Sequence, residues 1–177
     1  MYQGRNRTAL ASQRQIARAM LELMSEEPYA GITVAEVCRR ADVSRQTFYS
    51  LFQSKENVVI YLLREDCGAV PIRDAEDGSH LRALCRAYSR FVIQHRKVLQ
   101  LLADNDLVGL LQERYYAFLT SCWDFRDELR EEYRNYAAIF IAAGMTRLTE
   151  IYVRQDLDAQ LLEDITYNLL CGNYRAG

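Results

Sequence analysis

The sequence predicts an all-α protein, with a three-helix head of the helix-turn-helix kind ahead of a larger helical body. Three observations carry this. Half of the 177 residues are apolar, and only two prolines and eight glycines interrupt them. Apolar residues recur at three- and four-residue spacing along most of the chain. The stretch ITVAEVCRRADVSRQTFYSLFQSK, residues 32–55, reads as two short helices around a tight turn.

The first helix is expected over 8–26, with Ile16, Ala19, Met20 and Leu23 on one face. Pro28 and Gly31 close it off. Arg5 and Arg7 precede it in an arm that either reaches DNA phosphates or is simply solvated. Thr33 is placed to cap a second helix, and Glu36, three residues on, completes a capping box. Val34, Val37 and Cys38 give that helix an apolar stripe. Ala41-Asp42-Val43 forms the corner, and Ser44 caps the next helix. That helix presents Arg45, Gln46, Thr47, Tyr49 and Ser50 while Phe48, Leu51 and Phe52 turn inward. Arg, Gln, Thr and Ser reach base edges in a major groove, whereas Tyr and Lys suit phosphates. These residues predict a DNA-binding head.

The same stretch resembles the DNA-binding domain of the TetR family of bacterial regulators. Thr33, Val37, Cys38, Ala41, Val43, Ser44, Thr47, Phe48, Tyr49, Phe52, Lys55 and Val58 stand at the places its pattern requires. Asp42 departs from the pattern, since the family usually has glycine at the turn. Asp tolerates a left-handed backbone better than most residues. The resemblance covers about the first third of the chain. It implies a head over residues 1–55, a linking helix over 55–68, and an effector-binding and dimerisation domain over 69–177. It also implies a repressor that binds a palindromic operator as a homodimer and is released by a small molecule. Position by position, it gives base reading to Arg45, Gln46 and Thr47. Thr33, Tyr49 and Lys55 become candidates for phosphates, with Ser44 and Ser50 beside them.

Val58, Val59, Leu62 and Leu63 place a fourth helix from Lys55 to about Cys67. Gly68, Pro71 and the run Arg73–Gly78 then read as a loop and the clearest boundary. Beyond it, Ser79 is expected to cap a helix ending near His95, and Lys97–Ala103 to form a short one. Asp106 is expected to cap a longer helix with Leu107, Leu110, Leu111, Tyr115, Phe118 and Leu119. Further helices follow over about 133–154 and from Asp158 to Gly172.

Two features of this body bear on function. Tyr136–Met145 is apolar almost all round and is expected to be buried on most sides. The family makes its dimer from the last two helices, which here adds Leu161, Leu162, Ile165, Leu169 and Leu170. The middle helices also carry many aromatics. Tyr88, Phe91, Tyr115, Phe118, Trp123, Tyr136 and Phe140 are candidates for an effector pocket that takes a small apolar or aromatic ligand. An aromatic stripe at helical spacing is equally the signature of a plain core.

The charge is uneven. Residues 1–55 carry eight Lys/Arg against five Asp/Glu, and the rest fourteen against nineteen. A basic head on an acidic body fits a protein that touches DNA at one end. Five cysteines without a C-x-x-C pair, and no apolar leader or membrane-length run, predict reduced thiols in the cytoplasm. Each cysteine is expected at a small buried site. Two histidines, with no H-E-x-x-H, P-loop or G-x-S-x-G motif, argue against an enzyme and against any metal or cofactor. Arginines interleave the carboxylates Asp124, Asp127, Glu128, Glu131 and Glu132, the pattern of an ion-paired helix face. The alternative to a small effector is a protein co-regulator bound by the C-terminal domain; an exposed apolar groove would favour it.

Overall fold

Nine α-helices and no strand are found among the residues described by a computed structural model: 2, 4, 6–65, 80–121, 130–155 and 158–173. The chain divides into two units, Met1–Asp66 and Cys67–Gly177.

In the first unit, α1 (Arg7–Glu26) starts at Asn6, whose side chain accepts from the N–H groups of Thr8 and Ala9. Its apolar face buries Ile16, Met20, Leu23 and Met24, as the periodicity requires. α2 (Val34–Arg40) and α3 (Arg45–Leu51) follow, then α4 (Lys55–Glu65). α1 packs on both α2 and α4, and α3 packs on α2. Phe48 and Phe52 are fully buried in this small core together with Val37, Val58 and Val59. Each such side chain contributes roughly 1.5–3 kcal/mol by leaving water. Outside the core, Arg40 on α2 holds Glu26 on α1 through two bonds of 2.9 and 2.7 Å.

The second unit contains α5 (His80–Gln94), α6 (Arg96–Asp104), α7 (Gly109–Ser121), α8 (Glu131–Gln155) and α9 (Ala159–Cys171). α7 and α6 both lie against α8, and α5 lies against α9. Leu84, Val92, Leu99, Leu102, Leu111, Leu119, Ala138, Ala142 and Leu162 fill the interior. Polar ties fix the helices in place. Arg154 on α8 donates to the carbonyl of Ala103 at 2.7 Å, which satisfies one of the open carbonyls at the end of α6. Arg82 on α5 stacks 3.8 Å over the ring of Tyr167 and pairs with Asp164 at 3.3 Å, both on α9.

Three expectations meet a different arrangement. Asp106 does not cap α7, which begins at Gly109. It has φ 57° and ends α6 instead: its N–H donates to Ala103, and that of Leu107 to Leu102. That pair of bonds is a Schellman ending, with aspartate in the left-handed seat that glycine usually takes. α8 is not buried on most sides; Ala138, Ala142, Met145 and Thr149 face inward, whereas Tyr136 and Phe140 are 72% and 79% exposed. Nearly uniform apolarity hid a two-sided helix. Cys171 is exposed, unlike Cys38 and Cys85. The expected cap Ser79, the loop from Gly68 to Gly78, Arg5, Cys67, Cys122, Trp123 and the carboxylates Asp124, Asp127 and Glu128 lie outside the described residues.

Candidate nucleic-acid interface

The corner between α2 and α3 is built by the backbone. Asp42 has φ 52°; its N–H donates to Arg39, and the N–H of Val43 donates to Cys38 at 3.0 Å. This too is a Schellman ending with aspartate in the left-handed seat. One residue later, Ser44 takes an extended backbone and caps α3 by accepting from the N–H of Thr47 at 3.0 Å. The tight corner therefore follows from two local hydrogen-bonding patterns.

Phe48, 0% exposed, and Leu51 anchor one side of α3 in the core. The opposite side presents Arg45, Gln46, Tyr49 and Ser50 to solvent, with Thr47 half-buried between. Tyr49 is 51% exposed, its ring edge-on to Phe48 at 5.5 Å. Its phenol thus leans on the core while its hydroxyl end is wet. The hydroxyls of Ser44 and Thr47 lie 2.8 Å apart, and Ser50 donates to the carbonyl of Thr47 at 2.8 Å. Burial raises the Cys38 thiol, and the nearby Arg45 guanidinium partly offsets that shift.

Thr33 and Lys55 both make bonds within the head. Glu36 accepts from both the N–H and the hydroxyl of Thr33, at 2.8 and 2.7 Å. These bonds hold the Glu36 carboxyl below the usual carboxylate range. Thr33 thus forms the capping box that the sequence predicts. The Lys55 ammonium donates to the carbonyls of Tyr29 and Ile32 at 2.8 and 3.1 Å, and it lies 4.2 Å above the Tyr29 ring. It fastens the start of α4 to the connection before α2. Sequence reasoning missed Tyr29, because a carbonyl acceptor 26 residues away leaves no local signal.

Among the described residues, the pocket candidates come together only in part. Tyr88 and Tyr115 are buried and meet edge-on at 5.5 Å, with Phe91 6.0 Å from Tyr115. Phe118 is half-buried. Tyr136 and Phe140 stand on the outer side of α8 and line no interior, because their spacing puts them opposite Ala138 and Ala142. Among the described residues, no group of three or more His, Cys, Asp or Glu is placed to hold a metal. Nor is any helix among them long and apolar enough to cross a membrane.

Two capped helices around a left-handed corner, with polar side chains facing out from the second, define a helix-turn-helix DNA-binding head. Residues 16–62 match the family model described as bacterial regulatory proteins, tetR family. The head of this chain therefore carries the DNA-binding domain of that family. Over 58 residues it is 33% identical to the HTH-type dhaKLM operon transcriptional activator DhaS of Lactococcus lactis subsp. lactis (strain IL1403), a match covering 33% of this chain and 31% of that protein. The likeness to the uncharacterized HTH-type regulator YxbF of Bacillus subtilis (strain 168), 26% identical over 66 residues, spans 37% of this chain and 17% of YxbF. A longer likeness, 22% identical over 156 residues, joins 88% of the chain to 78% of the fatty acid metabolism regulator protein of Bacillus subtilis (strain 168). Among solved structures, the fatty acid degradation regulator FadR from Bacillus halodurans shares the fold at TM-score 0.60 and 19% identity, over 99% of this chain and 100% of that one. NalD, the secondary repressor of the MexAB-OprM efflux pump in Pseudomonas aeruginosa, does so at TM-score 0.57 and 20% identity, over 91% and 96%. These relatives are regulators and not enzymes.

Proposed function

We propose that the protein is a cytoplasmic, ligand-responsive repressor that binds a palindromic operator as a homodimer. The observation that carries this reading is the outward side of α3, where Arg45, Gln46 and Tyr49 stand exposed on a helix anchored by Phe48. Arg45 reads guanine, Gln46 reads adenine, and Thr47 and Tyr49 contact the edges of the site. Each well-made bidentate contact supplies roughly 1–3 kcal/mol of discrimination. The two heads of a dimer would lie about 34 Å apart, one turn of DNA.

The outer side of α8 supports the dimer. Tyr136 and Phe140 sit there with half-exposed Ile139, and Leu161 and Leu169 are 45% exposed on α9. A second copy would cover this apolar surface. A small, largely apolar effector would enter beside Phe91 and Phe118, next to the buried tyrosines, and act through unequal affinity for two arrangements of the body. Relatives carry both activator and repressor in their names.

Selection of bound sequences from a random DNA pool tests the reading, with an Arg45→Ala/Gln46→Ala variant in parallel. A palindrome enriched by the wild type and lost in the variant is expected. No enrichment by folded protein would overturn it, and a body that retains a protein partner in place of a small molecule would move the effector role to that partner.

A further inference from the structure

Gln13 lies on the core-facing side of α1, only 1% exposed, among Ile16, Ala17 and Met20. A buried amide is costly unless it is hydrogen-bonded, and an apolar residue would fill the same place without that demand. Its partner lies outside the helical core. The Gln13 side-chain amide donates to the backbone carbonyl of Tyr2 at 3.1 Å.

Tyr2 is held at two further points. Its own backbone N–H donates to the carbonyl of Leu51 at 2.7 Å. Its hydroxyl accepts from the N–H of Asn6 at 3.3 Å, and Asn6 in turn caps α1. Leu51 is the last residue of α3, where helical carbonyls have no partner within their own helix. The Tyr2 N–H supplies that partner.

We infer that Gln13 is a positioning residue for DNA reading: through Tyr2 it fixes the C-terminal end of α3, and with it the angle at which Arg45 and Gln46 enter the groove. Tyr2, tied to Asn6, is then a brace across the head, set by one buried amide. Where α3 reads the groove, as proposed above, loss of the brace tilts its reading side without unfolding the core. Specific binding suffers, because base-edge hydrogen bonds are directional, while phosphate attraction is not.

The test uses the full-length protein and the palindrome it selects, titrated beside unrelated DNA of equal length at fixed salt. Gln13→Met keeps the length of the side chain and removes the donor. It is expected to weaken specific binding roughly three- to tenfold, the worth of one such bond, and to leave non-specific binding unchanged. Deleting residues 2–5 should produce a similar loss, with Arg5→Ala measuring the part due to charge alone. In the deleted chain Gln13→Met should cost nothing further in specific binding, because the amide has nothing left to hold. A full additional loss there, or equal losses on both DNAs, would overturn the inference. So would fast amide exchange at Tyr2 in the wild type, a readout that needs no DNA. A wild type that selects no sequence overturns the groove-reading role itself, and slow exchange at Tyr2, lost in Gln13→Met, would then still establish the brace.

Discussion

The hydroxyl of Tyr115 on α7 lies 2.8 Å from Oγ1 of Thr149 on α8, deep inside the second unit. Tyr88 from α5 reaches the same oxygen at 3.0 Å, and the carbonyl of Met145 at 2.9 Å. Thr149 also donates to that carbonyl at 2.8 Å. Three helices are joined through one threonine oxygen. Thr149→Val keeps the shape and removes the shared partner of two buried phenols, which should cost about 1–3 kcal/mol in urea unfolding. Tyr115→Phe should then cost less in the valine background than in the wild type, the mark of direct coupling. Equal costs in both backgrounds would refute the shared bond.

Asp42 and Asp106 both sit left-handed at the ends of helices. There an L-residue is strained, and its carboxylate faces the negative end of the helix dipole. Glycine removes both effects but adds freedom to the unfolded chain. Asp42→Gly and Asp106→Gly should each stabilise by about 0.5–1 kcal/mol, read as a raised urea midpoint.

Lys55 separates two roles cleanly. As a clamp on Tyr29 and Ile32, its replacement in Lys55→Met should destabilise the head by roughly 1–2 kcal/mol. Arg45→Ala should leave stability within about 0.5 kcal/mol of the wild type. A Lys55→Met protein of normal stability, whose DNA affinity falls less steeply with salt by about 0.9 in the log–log slope, would make Lys55 a phosphate ligand instead.

Burial, with smaller contributions from Cys171 and Glu163, pushes the Cys85 thiol up to about 12 from an ordinary 9. The folded chain therefore keeps this proton while the unfolded chain releases it. Stability should fall as pH rises from about 9 to 12, and Cys85→Ala should flatten part of that fall. Tyr88, also raised by burial, adds to the slope in the same direction. In a Cys67→Ser/Cys122→Ser background at pH 8, a thiol reagent should label exposed Cys171 quickly. Cys38 and Cys85 should react only on unfolding.

Phe140, the most exposed large apolar residue among those described, tests the assembly surface. Phe140→Arg should shift sedimentation from dimer to monomer and abolish palindrome binding, while the helical signal is unchanged. A monomeric wild type would remove α8 and α9 as the assembly surface.

What the sequence made legible was mostly local. Thr33 with Glu36, Ser44, and Asp158 with Gly172 announce helix ends, because capping joins residues two to four apart. Phe48 and Phe52 are legible as core for the same reason. Asp106 was misread because aspartate suits both a helix start and a left-handed ending, and only the backbone decides between them. Tyr136 and Phe140 were misread as pocket lining because apolarity does not say whether a side is covered by its own chain. The Lys55 clamp and the Gln13 tie depend on backbone carbonyls far along the chain, and a carbonyl has no residue identity to read.

The aspartate corner of the head has a consequence for how such proteins change over generations. Every aspartate codon becomes a glycine codon through one change at its second base. Glycine at position 42 is thus a single mutation away from the aspartate this chain carries. Natural chains need only exceed the stability their task demands, so a slightly strained corner is tolerable. What the corner requires is a backbone angle, and more than one amino acid can supply it.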